Sequence, residues 1–135
     1  MTEARRSELN NPALGSFCWV ELATNDQSAA KKFYTQLFNW SIKAVPMGAD
    51  SFYTMLQIEG NDVAALYQQQ KEQQSQGVPP HWMTYVAVAD ADQAVSKANS
   101  LGGKVILAPF DVFDAGRMAV LQDPTGAHFV SLAGT

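Results

Sequence analysis

The strongest constraint on this chain is that its second half repeats the plan of its first. Laid over each other at an offset of about 64–66 residues, Asp26 meets Asp90, Ala30 meets Ala94, Tyr34 meets Ala98 and Leu37 meets Leu101. Near the ends, the run Gly60 to Leu66 meets Gly126 to Leu132. A duplicated supersecondary unit therefore sets the architecture, and each copy can be read separately.

In the first copy, Phe17 to Leu22 is short, aromatic and β-branched, and it runs into Thr24-Asn25-Asp26, which suits a strand entering a helix cap. Ala30, Phe33, Tyr34, Leu37 and Phe38 then mark one face of an amphipathic helix ending near Asn39. Trp40 to Val45, Ser51 to Ile58 and Val63 to Tyr67 read as strands, punctuated by Pro46-Met47-Gly48 and Gly60-Asn61-Asp62. The second copy opens with a strand at Trp82 to Val88. Asp90 caps a helix with Ala91, Ala94, Val95, Ala98 and Leu101 on its apolar face, and Gly102-Gly103 closes it. Val105 to Val112, Arg117 to Gln122 and Phe129 to Leu132 follow as strands, the last entered through the type I turn signature Asp123-Pro124-Thr125-Gly126.

The expected fold class is α+β, with two βαβββ modules in one chain. Residues 1–13 read as a polar tail, 14–67 as the first module, 68–80 as a flexible glutamine-rich connector and 81–135 as the second module, all in one domain. Apolar residues make up 47% and charged residues 16%, which excludes a disordered or coiled-coil chain. A net charge of -4 with no basic stripe argues against nucleic acid as a partner. Cys18 is the sole cysteine, so disulfide, CxxC and zinc-finger readings are closed. With no signal-like apolar stretch and no run long enough to span a membrane, a soluble cytoplasmic protein is expected.

FYTQLFNW at Phe33 to Trp40, SLGGKV at Ser100 to Val105 and LQDPTGAHF at Leu121 to Phe129, set on the duplicated plan, resemble the vicinal oxygen chelate superfamily. That group includes glyoxalase I, the bleomycin resistance proteins and the extradiol dioxygenases. The resemblance covers roughly residues 14–134 and implies curved mixed sheets around a ligand cleft, helices outside, and homodimers. It also implies four metal-ligand positions, carried onto Trp19, Ala64, Met83 and Val130, or with a one-residue slip onto Cys18, Ala65, Trp82 and Phe129 or Ser131. Neither set supplies the oxygen or imidazole donors that a hard divalent cation needs.

If the inherited positions face the cleft, strand alternation brings their neighbours with them. One level would hold Phe17, Asp62, His81 and His128, and another Glu21, Leu66, Tyr85 and Leu132. The expectation is a binding protein whose cleft takes a small, largely apolar molecule without a metal cofactor. Its ligand-binding residues would be Trp19, Glu21, Tyr53, Met83, Tyr85 and His128, with Trp82 added to the aromatic wall and Glu21 as the candidate catalytic base. The alternative is a metal-dependent lyase, isomerase or dioxygenase holding one divalent ion with Asp62, His81 and His128. Arg117, beside a hairpin-turn signal, is a candidate anion clamp. Cys18 reads as an inert small hydrophobe facing the helix.

Overall fold

The computed structural model describes residues 12–46, 52–112 and 116–134. Its strands and helices follow the order β1 (Phe17–Thr24), α1 (Gln27–Phe38), β2 (Ser41–Pro46), β3 (Phe52–Ile58), β4 (Asn61–Gln68), α2 (Lys71–Ser75), β5 (His81–Ala87), α3 (Ala91–Ser100), β6 (Lys104–Val112), β7 (Gly116–Gln122) and β8 (His128–Ala133). The fold is α+β, built from two βαβββ modules. The expected tail up to residue 11, the Pro46-Met47-Gly48 turn beyond Pro46, and the Asp114-Ala115 turn lie outside the described residues.

The chain divides into two compact units, one from Val20 to Met83 and the other from Thr84 onward with the segment ending at Trp19. In the first, the strand order is β2-β3-β4-β1, with β1 and β4 parallel and the other pairs antiparallel. A right-handed β-α-β crossover followed by two reversals requires the fourth strand to run parallel to the first. Helix α1 starts where the Asp26 carboxylate accepts from the Ala29 N–H at 3.0 Å, and it stops at Asn39, whose φ of 58° is the left-handed conformation that ends helices. Leu22, Leu56, Ala64 and Leu66 form the core, with Ala30, Tyr34, Trp40 and Val63 packed against it. Each buried leucine stabilises the fold by about 1.5–3 kcal/mol relative to an exposed one.

The second unit repeats the layout as β5-β8-β7-β6, with β5 parallel to β8. Asp90 caps α3 through the Gln93 N–H at 3.0 Å, the counterpart of Asp26 in the first module. Gly102, at φ 90°, and Gly103, donating to Ala98 O at 2.9 Å, close the helix as the sequence indicates. The Asp123 turn closes through Gly126 N–H to Asp123 O at 3.0 Å. Gly15 N–H donates to Ala87 O at 2.7 Å and Ala87 N–H to Ser16 O at 2.9 Å, tying the segment before β1 to the end of β5.

Two expectations change. The β3–β4 turn is Glu59-Gly60, both at positive φ, so Asn61 and Asp62 already belong to β4. The glutamine-rich connector contains α2 and is held in place. Gln69 Nε2 donates to Val78 O at 3.3 Å and Pro79 O at 3.2 Å, and Gln74 Nε2 donates to Gln69 O at 3.0 Å. Composition suggested a solvated linker, but glutamine side chains carry enough donors to bind the backbone they sit in.

Candidate functional site

In parallel β1 and β4, Glu21 lies opposite Ala65 and Leu22 opposite Leu66. Since Leu22, Ala64 and Leu66 pack with α1 residues, alternation sends Glu21, Ala65 and Tyr67 to the sheet face away from the helix. Across the next ladder Tyr53 lies opposite Tyr67 and Met55 opposite Ala65, and beyond them Val45 lies opposite Tyr53 and Lys43 opposite Met55. This corrects the expected face. Ala64 and Leu66 do not accompany Glu21, because a one-residue change of register moves a strand's whole side-chain set to the other face.

On this face, turned away from α1, the Tyr53 hydroxyl donates to the Glu21 carboxylate. Glu21 is 7% exposed, so its charge sits largely out of water and needs such a donor. The Tyr53 and Tyr67 rings have centroids 6.3 Å apart and planes 4° from parallel. Burial, and then the negative charge of Glu21, push the Tyr67 phenol up to about 12 from its ordinary 10. The result is a carboxylate, a hydroxyl donor and two aromatic faces in one place.

Of the expected site residues, the structure brings Glu21 and Tyr53 together. Sequence reasoning missed Tyr67, because the Glu59-Gly60 turn alone would set Tyr53 opposite Leu66 and only the register shift after Leu56 brings Tyr67 there. Trp82 turns instead to the α1 aromatics, its indole N–H donating to the Tyr34 hydroxyl at 3.1 Å with the rings edge to face. Trp19 and Met83 are half-buried in β1 and β5, and Tyr85 is buried in β5 opposite Val130. The ladder places Tyr85 level with Val130 and not with Leu132, which removes the shared levels read from the sequence. His128 is exposed and lies opposite Gln122.

The alternative metal residues have other roles. A bulge after Leu56 sets Asp62 opposite Gln57, whose Nε2 donates to Asp62 Oδ1 at 2.7 Å. His81 Nδ1 lies 2.8 Å from Pro79 O. Among the described residues, these three included, no three His, Cys, Asp or Glu side chains are grouped to hold a metal ion. The four inherited positions hold an indole, two aliphatic side chains and a thioether, a donor set that does not fit a hard divalent cation.

Arg117 is not an anion clamp. Its guanidinium pairs with Asp92 at 2.8 Å and Asp111 at 3.2 Å, which places it on the α3 side of its sheet. Cys18 is half-buried, and burial raises its thiol pKa, so it stays protonated and unreactive at neutral pH. No helix among the described residues is long and apolar enough to cross a membrane.

The family model described as "Glyoxalase/Bleomycin resistance protein/Dioxygenase superfamily" matches residues 16–130. The chain belongs to that superfamily. CFP32 of Mycobacterium tuberculosis, named as a candidate glyoxylase, is 45% identical over 124 residues, covering 91% of this chain and 46% of that protein. The anthracycline biosynthesis protein DnrV of Streptomyces peucetius is 35% identical over 127 residues, covering 87% and 46%. This superfamily member thus spans a little under half the length of the curated relatives it matches. Among solved structures, methylmalonyl-CoA epimerase from Mycobacterium tuberculosis superposes with a TM-score of 0.65 at 14% identity, covering 92% of this chain and 91% of that one. A mutant 4-hydroxymandelate synthase from Streptomyces coelicolor gives 0.63 at 16%, covering 90% and 39%. At those identities the likeness is one of fold.

Proposed function

We propose that this glyoxalase-superfamily chain binds a small, largely apolar molecule on the sheet face of its first module turned away from α1, with Glu21 and Tyr53 as the polar anchor and no divalent metal. The observation that carries this is the Tyr53–Glu21 hydrogen bond beside the parallel Tyr67 ring. The two phenol rings and Met55 offer apolar contact, while the carboxylate fixes orientation. In a turnover of that molecule, Glu21 is the group placed to accept a proton and Tyr53 the group that holds its carboxylate in position. The relatives named for glyoxylase activity and anthracycline biosynthesis are consistent with a small-molecule ligand.

The same proposal takes the protein to be a cytoplasmic homodimer. Phe33, Leu37 and Phe38 on α1 are 58%, 55% and 51% exposed, and Ile42 on β2 is exposed too. Contiguous apolar side chains of this kind are usually covered.

The test uses Nile red, a neutral apolar dye, on protein purified without chelator. Binding should survive EDTA, weaken about tenfold in Tyr67→Ala and change little in Trp82→Ala. A stoichiometric divalent ion whose removal abolishes binding would overturn the metal-free reading. Light scattering should give twice the chain mass, and a monomer at high micromolar concentration would refute the dimer.

A further inference from the structure

Resting on the binding face proposed above, we infer that its ligand carries a hydroxyl and that the Gln69 side-chain carbonyl accepts the hydrogen bond from it. Gln68 reaches to the α1 side of the sheet, where its Oε1 accepts from the Gln27 N–H at 3.0 Å and its Nε2 donates to Asn25 O at 2.8 Å. The Gln69 N–H donates to Thr24 O at 2.8 Å and so continues the ladder by one residue. Alternation therefore turns Gln69 to the face that holds Tyr67, two residues or about 7 Å away along the strand direction.

The orientation of the Gln69 amide is fixed by what surrounds it. Nε2 donates to Val78 O at 3.3 Å and Pro79 O at 3.2 Å, and exchanging the two amide atoms would set carbonyl against carbonyl. Gln69 is only 2% exposed, and among the described residues its Oε1 accepts no hydrogen bond. Folded chains leave few buried acceptors in that condition, because the solvation lost on burial is not returned. A neutral hydroxyl is the donor that reaches such a place at least cost. An ammonium would give up its hydration, and an amide N–H would bring a carbonyl needing a donor of its own. Entry requires the Val78-Pro79 segment to lift, and α2, in the middle of the same connector, buries no side chain that would hold it down. Once the hydroxyl is in place, the Gln69 amide bridges the two, with Nε2 on the Val78-Pro79 segment and Oε1 on the ligand.

The experiment compares 2-naphthol with 2-methoxynaphthalene, the same two-ring body with its donor methylated, at pH 7, where the naphthol is neutral. Wild-type protein should bind 2-naphthol about fivefold tighter, the usual worth of one hydrogen bond. Gln69→Met, which keeps the length of the side chain and removes its amide, should bring the two probes to within about twofold. Equal affinity of the wild type for both, or a preference that survives in Gln69→Met, overturns the assignment while leaving an apolar site standing. Failure of both probes to bind overturns the binding face itself. Limited proteolysis of the wild type decides the matter even where the variant does not fold. Saturating 2-naphthol should slow cutting within residues 70–80 about threefold or more, by tying Gln69 to the ligand, and saturating 2-methoxynaphthalene should not. Equal cutting in the presence of either probe overturns the contact between the hydroxyl and Gln69.

Discussion

The Tyr67 ring lies parallel to that of Tyr53, with 6.3 Å between centroids, in a position where burial and the Glu21 charge both oppose its ionisation. An unfolded tyrosine loses its proton near pH 10 and the folded Tyr67 near about 12. Between those values the unfolded chain binds fewer protons than the native one, so stability falls as pH rises. Below pH 10 both states are protonated and the contribution is constant. Denaturant unfolding from pH 9 to 12 should show a loss of up to about 2–3 kcal/mol attributable to this residue, and Tyr67→Phe should flatten that part of the curve.

Gly116 begins β7 at φ 127°, and a Cβ built there would fall 2.0 Å from Ala133 O, a backbone atom that cannot step aside. Gly116→Ala should cost about 2–4 kcal/mol. Gly126, at φ 102°, would meet only the Gln122 side chain at 3.5 Å, so Gly126→Ala should cost about 1 kcal/mol from backbone strain. Equal losses for the two variants in urea melts would show that the close approach to Ala133 is absent.

Gln69 is 2% exposed and clamps Val78 and Pro79 through its amide. Gln69→Ala should destabilise by about 1 kcal/mol, since it removes the donor to the Val78 and Pro79 carbonyls. Limited proteolysis should then cut within residues 70–80 well before the rest of the chain. Cleavage at the wild-type rate would contradict the clamp.

On the acid side, the Arg117 guanidinium holds Asp92 below its ordinary value, and the Thr125 hydroxyl with the Ala127 and Thr125 N–H groups does the same for Asp123. Each folded-state value is depressed, so the stabilisation is present above the unfolded value of 3.8 and is lost as pH falls through the folded one. Thermal melts should decline below about pH 4. The decline should be shallower in Asp92→Asn and Asp123→Asn.

The order of residues by itself determined the duplicated βαβββ plan, the caps at Asp26 and Asp90, the glycine closure after α3 and the Asp123 turn. These rest on side-chain periodicity and on hydrogen bonds only a few residues apart, which any short window contains. It also determined that the inherited metal positions lack ligand atoms, since that is a matter of residue type. Glu21 was legible as a cleft candidate by alternation along its strand, and Tyr53 as one of the aromatic side chains that could line a cleft. Which residues they meet was decided by tertiary structure. The register that puts Glu21 opposite Ala65, with Ala64 facing α1, joins strands distant in the chain, and a single residue's shift reverses the faces. The bulge after Leu56 turned Asp62 toward Gln57, and the Arg117 pairings depend on α3 packing beside β7. Each of these is fixed by burying one set of apolar side chains against a helix that local sequence does not contain.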